Sequence, residues 1–187
     1  MYIPAGINRY ILDRFGSRWG LLNYSKYLLQ QWGGRYRSYA NPDWRRVQRF
    51  IFICKGNICR SSLAWGYATH RGVVADSFGI DCPDGDPADP RAIEYAAGIG
   101  FDLSPHRTRN LARLTPRPGD LLVVMEPAHL PAVQQFAGVA QITLAGLWLP
   151  RPRPYVHDPY SATPTYFRRC EDDMVVAVSR MLELSGL

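Results

Sequence analysis

Four short β-rich runs, RFIFIC (49–54), VVADSF (73–78), DLLVVM (120–125) and AQITLA (140–145), alternate along this chain with segments of helical spacing. Strands joined through helices form βαβ crossovers, so the runs must lie parallel in one sheet with helices on both faces. The helical segments are 60–71, 90–99, 127–136 and 164–185. Asp89-Pro90 opens the second of these as an N-cap followed by proline at the first helical position. The expected architecture is therefore α/β, a four-stranded parallel sheet flanked by helices.

At 187 residues, 47% of them hydrophobic, the chain suits one domain with an appendage. No run approaches the roughly 18 apolar residues that a membrane span needs. The N-terminus has no apolar secretory core. These features lead to the expectation of a cytoplasmic protein whose Cys54, Cys59, Cys82 and Cys170 stay reduced. No short-spaced Cys or His pairs occur, so neither a metal site nor a cofactor is expected.

The formal charge of +6 is unevenly spread. Residues 1–49 hold nine Lys or Arg against two Asp or Glu, a net of +7, and the remainder carries −1. Residues 1–48 also hold ten of the 23 aromatics and do not follow the strand–helix rhythm. In this stretch Ile11, Phe15, Trp19 and Leu22 recur at roughly helical spacing, interrupted by Gly16 and Gly20. We read 1–48 as a basic, aromatic-rich helical extension packed on a main domain at 49–187. Contact with a membrane surface or an acidic partner is the next reading, because basic and aromatic residues interleave. No motif supports nucleic-acid binding.

The chemistry is concentrated in CKGNICRSS (54–62), where the first strand ends on a cysteine and a helix begins near Ser61. A turn between a strand end and a helix N-terminus points backbone N–H groups at one spot, where the helix dipole adds positive character. Gly56 and Asn57 are residue types that tolerate the left-handed backbone such a nest uses. Arg60 brings a planar fork suited to two phosphate oxygens. A cysteine in that field favours its thiolate. Cys54 is thus the candidate nucleophile for attack on phosphorus, giving a phosphocysteine. The leaving oxygen needs a proton, for which the candidate is Asp158 in YVHDPYS. Asp158 lies in the stretch 150–164, whose five prolines make it a stiff loop. Arg60 and the amides carry the charge in this scheme, so no metal is required.

Four segments, CKGNICRSS, GDPADPRA (85–92), LSPHRTRNL (103–111) and HDPY (157–160), closely resemble the low-molecular-weight protein tyrosine phosphatase family in order and spacing. The resemblance covers about 49–187. It implies a Rossmann-like three-layer fold, Cys54 as nucleophile, Arg60 as phosphate ligand and Asp158 as general acid. Lys55, Gly56, Asn57, Ile58, Cys59 and Ser61 would line the phosphate cradle, and Tyr160 would form an aromatic wall of the cleft. Asn57, Ser61, Ser77 and His106 match positions that hold the loop and tune the thiolate through hydrogen bonds. The chain departs from the family at Ser62, where proline is usual, and at Lys55, which replaces an aliphatic residue on the rim and would favour acidic substrates. The short acidic segment FGIDCPDGD (78–86) offers no clear aromatic for a second cleft wall.

The leading expectation is a phosphotyrosine phosphatase. For a bacterial source, the resemblance implies as its partner an autophosphorylating tyrosine kinase of polysaccharide export. A thiol-dependent arsenate reductase would use the same anion loop, but VVMEPAHLPAV after the third strand offers no relay cysteine. A non-catalytic phosphopeptide-binding module is the third reading. Cys59 could pack in the core or form a protective disulfide with Cys54.

Overall fold

The computed structural model describes residues 4–187. Strands β1 (Arg49–Cys54), β2 (Ala75–Gly79), β3 (Asp120–Val124) and β4 (Gln141–Leu144) form one sheet in the order β2-β1-β3-β4, and every pairing is parallel. The register aligns Cys54 with Gly79 and Ile53 with Val124. The carboxyl ends of β1, β2 and β3 therefore meet at one edge.

The pleat sends alternate residues of β1 to opposite faces. Phe50, Phe52 and Cys54 enter a core layer with Leu121, Val123, Leu63, Met174 and Val178. Leu63 belongs to helix α3 (Arg60–His70), and the last two to α6 (Pro164–Ser185), the helix that packs beside α3. Ile51 and Ile53 face the other way, into a layer with Phe78, Leu122, Val124, Leu144 and Tyr36. Burial on both faces explains why β1 reads as continuously apolar rather than alternating.

Helix α4 (Pro90–Gly98) starts as expected, with Asp89 accepting a hydrogen bond from the Arg91 amide. Two expectations need correction. Residues 127–136 are not one helix: 3₁₀ turns at Pro127–His129 and Gln134–Phe136 flank a short α5 (Leu130–Val133). Pro131, at the start of that turn, has no N–H to continue the hydrogen-bond ladder from the preceding residues. Strand β2 begins at Ala75, because the Val73 amide bonds back to Ala68 O at the end of α3 and Val74 is exposed.

The N-terminal extension contains helices α1 (Ala5–Phe15) and α2 (Arg18–Trp32), which pack against each other, and α1 also packs on α6. Ile11, Phe15, Trp19 and Leu22 do not share one helix face, because the chain turns at Gly16 (φ 78°). Trp19 is 73% exposed, and Leu22, Leu29 and Trp32 also face outward along α2. Beyond α2, Tyr36 enters the core and residues 39–43 run beside β4. There Thr143 Oγ1 donates to Tyr39 O (2.7 Å), and the Asp43 amide donates to Gln141 Oε1 (2.6 Å). The extension thus covers the sheet edge that β4 would otherwise expose. Among the described residues no helix is long and apolar enough to cross a membrane.

Candidate active site

The site forms where β1 passes into α3. Asn57, buried, is the one non-glycine residue among those described with a left-handed backbone (φ 56°). That conformation turns its amide towards Cys54, and the Asn57 N–H donates to Cys54 Sγ at 3.2 Å. Its side-chain Nδ2 donates to Ser61 Oγ (2.9 Å), which lies 3.0 Å from Cys54 Sγ. Its Oδ1 accepts from the Arg109 amide (2.9 Å), and its carbonyl accepts from His106 Nε2 (2.7 Å). One buried asparagine thus joins the nucleophile candidate, α3 and the 106–109 segment. Gly56 does not have the left-handed backbone expected of it. It sits on the rim, where an added Cβ would meet nothing closer than Ile58 Cγ1 at 3.7 Å.

His106 is pushed down to about 4 by burial, against the pull of its bond to Asn57 O and helped by the charges of Arg109 and Arg107. It is therefore neutral at pH 7 with its proton on Nε2, the nitrogen that must donate to a carbonyl. Ser77 is buried in β2, but its Oγ has no hydrogen-bond partner among the described residues, so the expected bond to the loop is not made.

Arg60 is wholly buried at the opposite side of the loop. Its Nη1 donates to Val156 O (2.9 Å) and lies 3.4 Å from Glu126 Oε1, while its Nη2 lies 3.0 Å from Asp158 Oδ2. Burial opposes its charge, yet Asp158, Cys54 and Glu126 outweigh that cost and its pKa is raised. Its Nε is buried with no protein partner, a donor left for an anion in the cradle. The first-turn amides of α3 likewise have no intrahelical acceptors. Ser62 fits at this start: its Oγ donates to Cys59 O (2.7 Å).

Glu126 and His129 behind Arg60 were not singled out from the sequence. His129 Nε2 lies 3.0 Å from Glu126 Oε1. Burial raises the Glu126 pKa, but His129 and Arg60 overcome this and hold it below the usual carboxylate range. Glu126 lies two residues beyond the carboxyl end of β3, the edge where ligands gather in open α/β sheets, and that rule would have flagged it.

Cys54, Lys55, Gly56, Ile58, Cys59, Arg60, Asp81, Asp158 and Tyr160 line one cleft of about 230 Å³. Asp81, not expected there, faces this cleft from the loop after β2, whereas Asn57 and Ser61, expected to line it, are wholly buried and support the loop instead. Tyr160 is exposed at the mouth, and its carbonyl accepts from Arg91 Nη2 (2.8 Å), which also pairs with Asp89. Cys59 Sγ donates to Asp89 Oδ2 at 3.7 Å. Burial, then the charges of Glu171 and Asp89, raise its pKa and keep it a thiol. All four cysteines are free. Among the described residues no cluster of three or more His, Cys, Asp or Glu could hold a metal ion.

Comparison with known proteins agrees with this geometry. The family profile of the low molecular weight phosphotyrosine protein phosphatases matches residues 49–184. The chain is 37% identical over 90 residues to a probable low molecular weight protein-tyrosine-phosphatase, EpsP, of Ralstonia nicotianae, covering 47% of this chain and 62% of that one. It thus spans somewhat under two thirds of that relative's length. It is 32% identical over 126 residues to Etp of Escherichia coli, a low molecular weight protein-tyrosine-phosphatase, covering 65% of this chain and 84% of the relative. Among solved structures, the tyrosine phosphatase Wzb from Escherichia coli K30 in complex with sulphate superposes with a TM-score of 0.60 at 28% identity, over 73% of this chain and 97% of Wzb. With the profile spanning most of its length and the cradle built on its strand–helix turn, the chain belongs to the low molecular weight phosphotyrosine protein phosphatase family.

Proposed function

We propose that this protein hydrolyses phosphotyrosine in a protein substrate through a phosphocysteine on Cys54. The observation that carries the reading is the arrangement around Cys54 Sγ. Asn57 N–H and Ser61 Oγ hold the sulfur at 3.2 and 3.0 Å, and Arg60 joins the same cleft to Asp158. In the first step the Cys54 thiolate attacks phosphorus in line, and the bond from phosphorus to the tyrosine oxygen breaks. Asp158 gives its proton to that oxygen. Arg60 and the loop amides take the charge on the three phosphoryl oxygens. In the second step water attacks phosphorus, the Asp158 carboxylate takes its proton, and the P–S bond breaks to restore the thiolate and release phosphate.

A phosphoryl dianion in the cradle competes with Asp158 for the guanidinium of Arg60. Lys55 on the rim favours acidic residues beside the phosphotyrosine. The substrate that the family resemblance implies is a tyrosine autokinase of polysaccharide export. The free thiols fit a reducing compartment, so action in the cytoplasm belongs to the same proposal. The outward Trp19, Leu22, Leu29 and Trp32 of α2, with Arg18 and Lys26 beside them, support contact with an anionic membrane surface. Co-sedimentation with anionic vesicles, reduced in Trp19→Ser and Trp32→Ser, is the expected result. Equal recovery with and without vesicles would exclude that contact.

Turnover of phosphotyrosine by the purified protein tests the main reading. Cys54→Ser is expected to lose it entirely. Asp158→Asn is expected to lose about 10²–10⁴-fold in kcat/KM while still binding phosphate. Thioredoxin-coupled arsenate turnover, or phosphopeptide binding without hydrolysis, would replace this reading with one of the two others.

A further inference from the structure

The family profile begins at residue 49, so it does not account for the α1–α2 hairpin. The turn of that hairpin closes round His157, the neighbour of Asp158. Gly16 needs its positive φ there, and a Cβ on it would collide with the His157 ring at Cδ2. A Cβ on Gly20 would approach the same atom to 3.1 Å. Ser17 Oγ, which caps α2 by accepting from the Gly20 amide, lies 3.0 Å from His157 Nε2. Tyr155 Oη lies 2.6 Å from His157 Nδ1, and the Tyr166 ring packs edge-on against the imidazole. Burial, then the charge of Arg60, lowers the His157 pKa. The neutral ring therefore donates from one nitrogen and accepts at the other, and both are engaged.

A second tether lies on the far side of Asp158. Thr163, the N-cap of α6, donates to Asp13 Oδ1 of α1 at 2.7 Å. The hairpin thus grips the chain at residues 157 and 163. Between those points the segment belongs to no strand or helix. Asp158 meets Arg60 Nη2 and accepts from the Tyr160 amide (3.2 Å). Proton transfer requires heavy atoms within about 2.6–3.2 Å, and an error of about 1 Å in placement can cost on the order of 10²-fold.

We propose that the α1–α2 hairpin is a positioning element for the proton donor, with Ser17 and Asp13 holding segment 157–163 so that Asp158 reaches the leaving oxygen above Cys54. This rests on the reading of Asp158 as the acid. Ser17, Asp13 and His157 touch neither substrate nor phosphate and act through the loop.

The test uses the full chain with two substrates that differ in their need for an acid. A tyrosine phenolate, conjugate to a phenol of pKa about 10, leaves poorly without a proton. Nitrophenolate, from p-nitrophenyl phosphate, leaves readily. Ser17→Ala and Asp13→Ala are each expected to lower kcat/KM for phosphotyrosine about five- to twentyfold, within the range that misplacement of a catalytic group produces. Values for p-nitrophenyl phosphate and inhibition by inorganic phosphate are expected to stay within about twofold, and Ser17→Thr to restore most of the loss. Placed on Asp158→Asn, Ser17→Ala is expected to cost nothing further, because the group it positions is gone.

Equal losses on both substrates, a full further loss on Asp158→Asn, or unchanged kinetics in both single variants would each overturn the positioning role. Asp13→Ala leaves the α2 cap intact, so it decides the matter if Ser17→Ala does not fold. A wild-type protein inactive on both aryl phosphates would instead sink the phosphatase reading itself. Undiminished phosphotyrosine turnover in Asp158→Asn would sink the acid assignment.

Discussion

Asn57 does more to shape the site than any residue it touches. It has the left-handed backbone, donates to Ser61, accepts from the Arg109 amide and accepts from His106. Asn57→Ala should therefore lose both the local tolerance for that backbone and the two side-chain hydrogen bonds, to Ser61 and to the Arg109 amide, while the bond from His106 to the backbone carbonyl remains. The expected destabilisation is about 2–4 kcal/mol by urea unfolding, together with loss of turnover. Asn57→Gly should recover the backbone share alone and remain inactive or nearly so. His106 makes a prediction of a different kind. Its folded pKa of about 4 lies below the ordinary 6.5, so the unfolded chain takes up the proton first as pH falls. Its contribution is complete above about pH 6.5 and declines towards pH 4, by roughly 3 kcal/mol in all. Urea midpoints between pH 7 and 4.5 should fall more steeply in the wild type than in His106→Gln. Cys54, Arg60, Asn57 and Ser61 were legible in the sequence because a strand, a turn and a helix start are local patterns, and Asp158 because five prolines mark its loop. Glu126 and its partner His129 were not, because the contact of Glu126 with Arg60 comes from two strand ends that meet only when the sheet is built.

Among the elements, the turn after β1 is braced from outside by β2. Gly79 ends that strand with its amide donating to Arg109 O (2.8 Å). A Cβ there would stand 2.5 Å from Cys82 Sγ, 2.9 Å from Lys55 O and 3.0 Å from Asn57 Cβ. Gly79→Ala should push the turn off its sulfur-facing geometry, costing about 1–3 kcal/mol in stability and at least tenfold in turnover. Wild-type kinetics in that variant would show that the turn does not depend on so close an approach. The strand–helix rhythm revealed the sheet because period-two and period-3.6 patterns survive in single elements. It failed at 127–136, where Pro131 breaks the ladder, and at the extension, where Gly16 turns the chain and sends Trp19 outward. In both places backbone chemistry overrode side-chain spacing.

At the scale of the whole molecule, a buried carboxyl opposes the behaviour of His106. Glu171 on α6 is fully buried with neither oxygen hydrogen-bonded among the described residues, and burial pushes its pKa up to about 8. The unfolded chain gives up that proton near pH 4.5, so the cost to the fold grows from there to about pH 8. Between about 4.5 and 6.5 the slopes from these two groups oppose each other, and above 6.5 that of Glu171 continues downward. Glu171→Gln, neutral at every pH, should gain several kcal/mol over the wild type by pH 8 and little near pH 4.5. A difference between the two proteins that does not change with pH would mean that the carboxyl is ionised in the fold. The central claim, however, is covalent. The direct measurement is to react the protein with phosphotyrosine peptide carrying radioactive phosphorus, quench during turnover and map the label. The account predicts label on the peptide containing Cys54, none in Cys54→Ala, and no turnover in that variant. Label on another residue, or steady hydrolysis by Cys54→Ala, would contradict it.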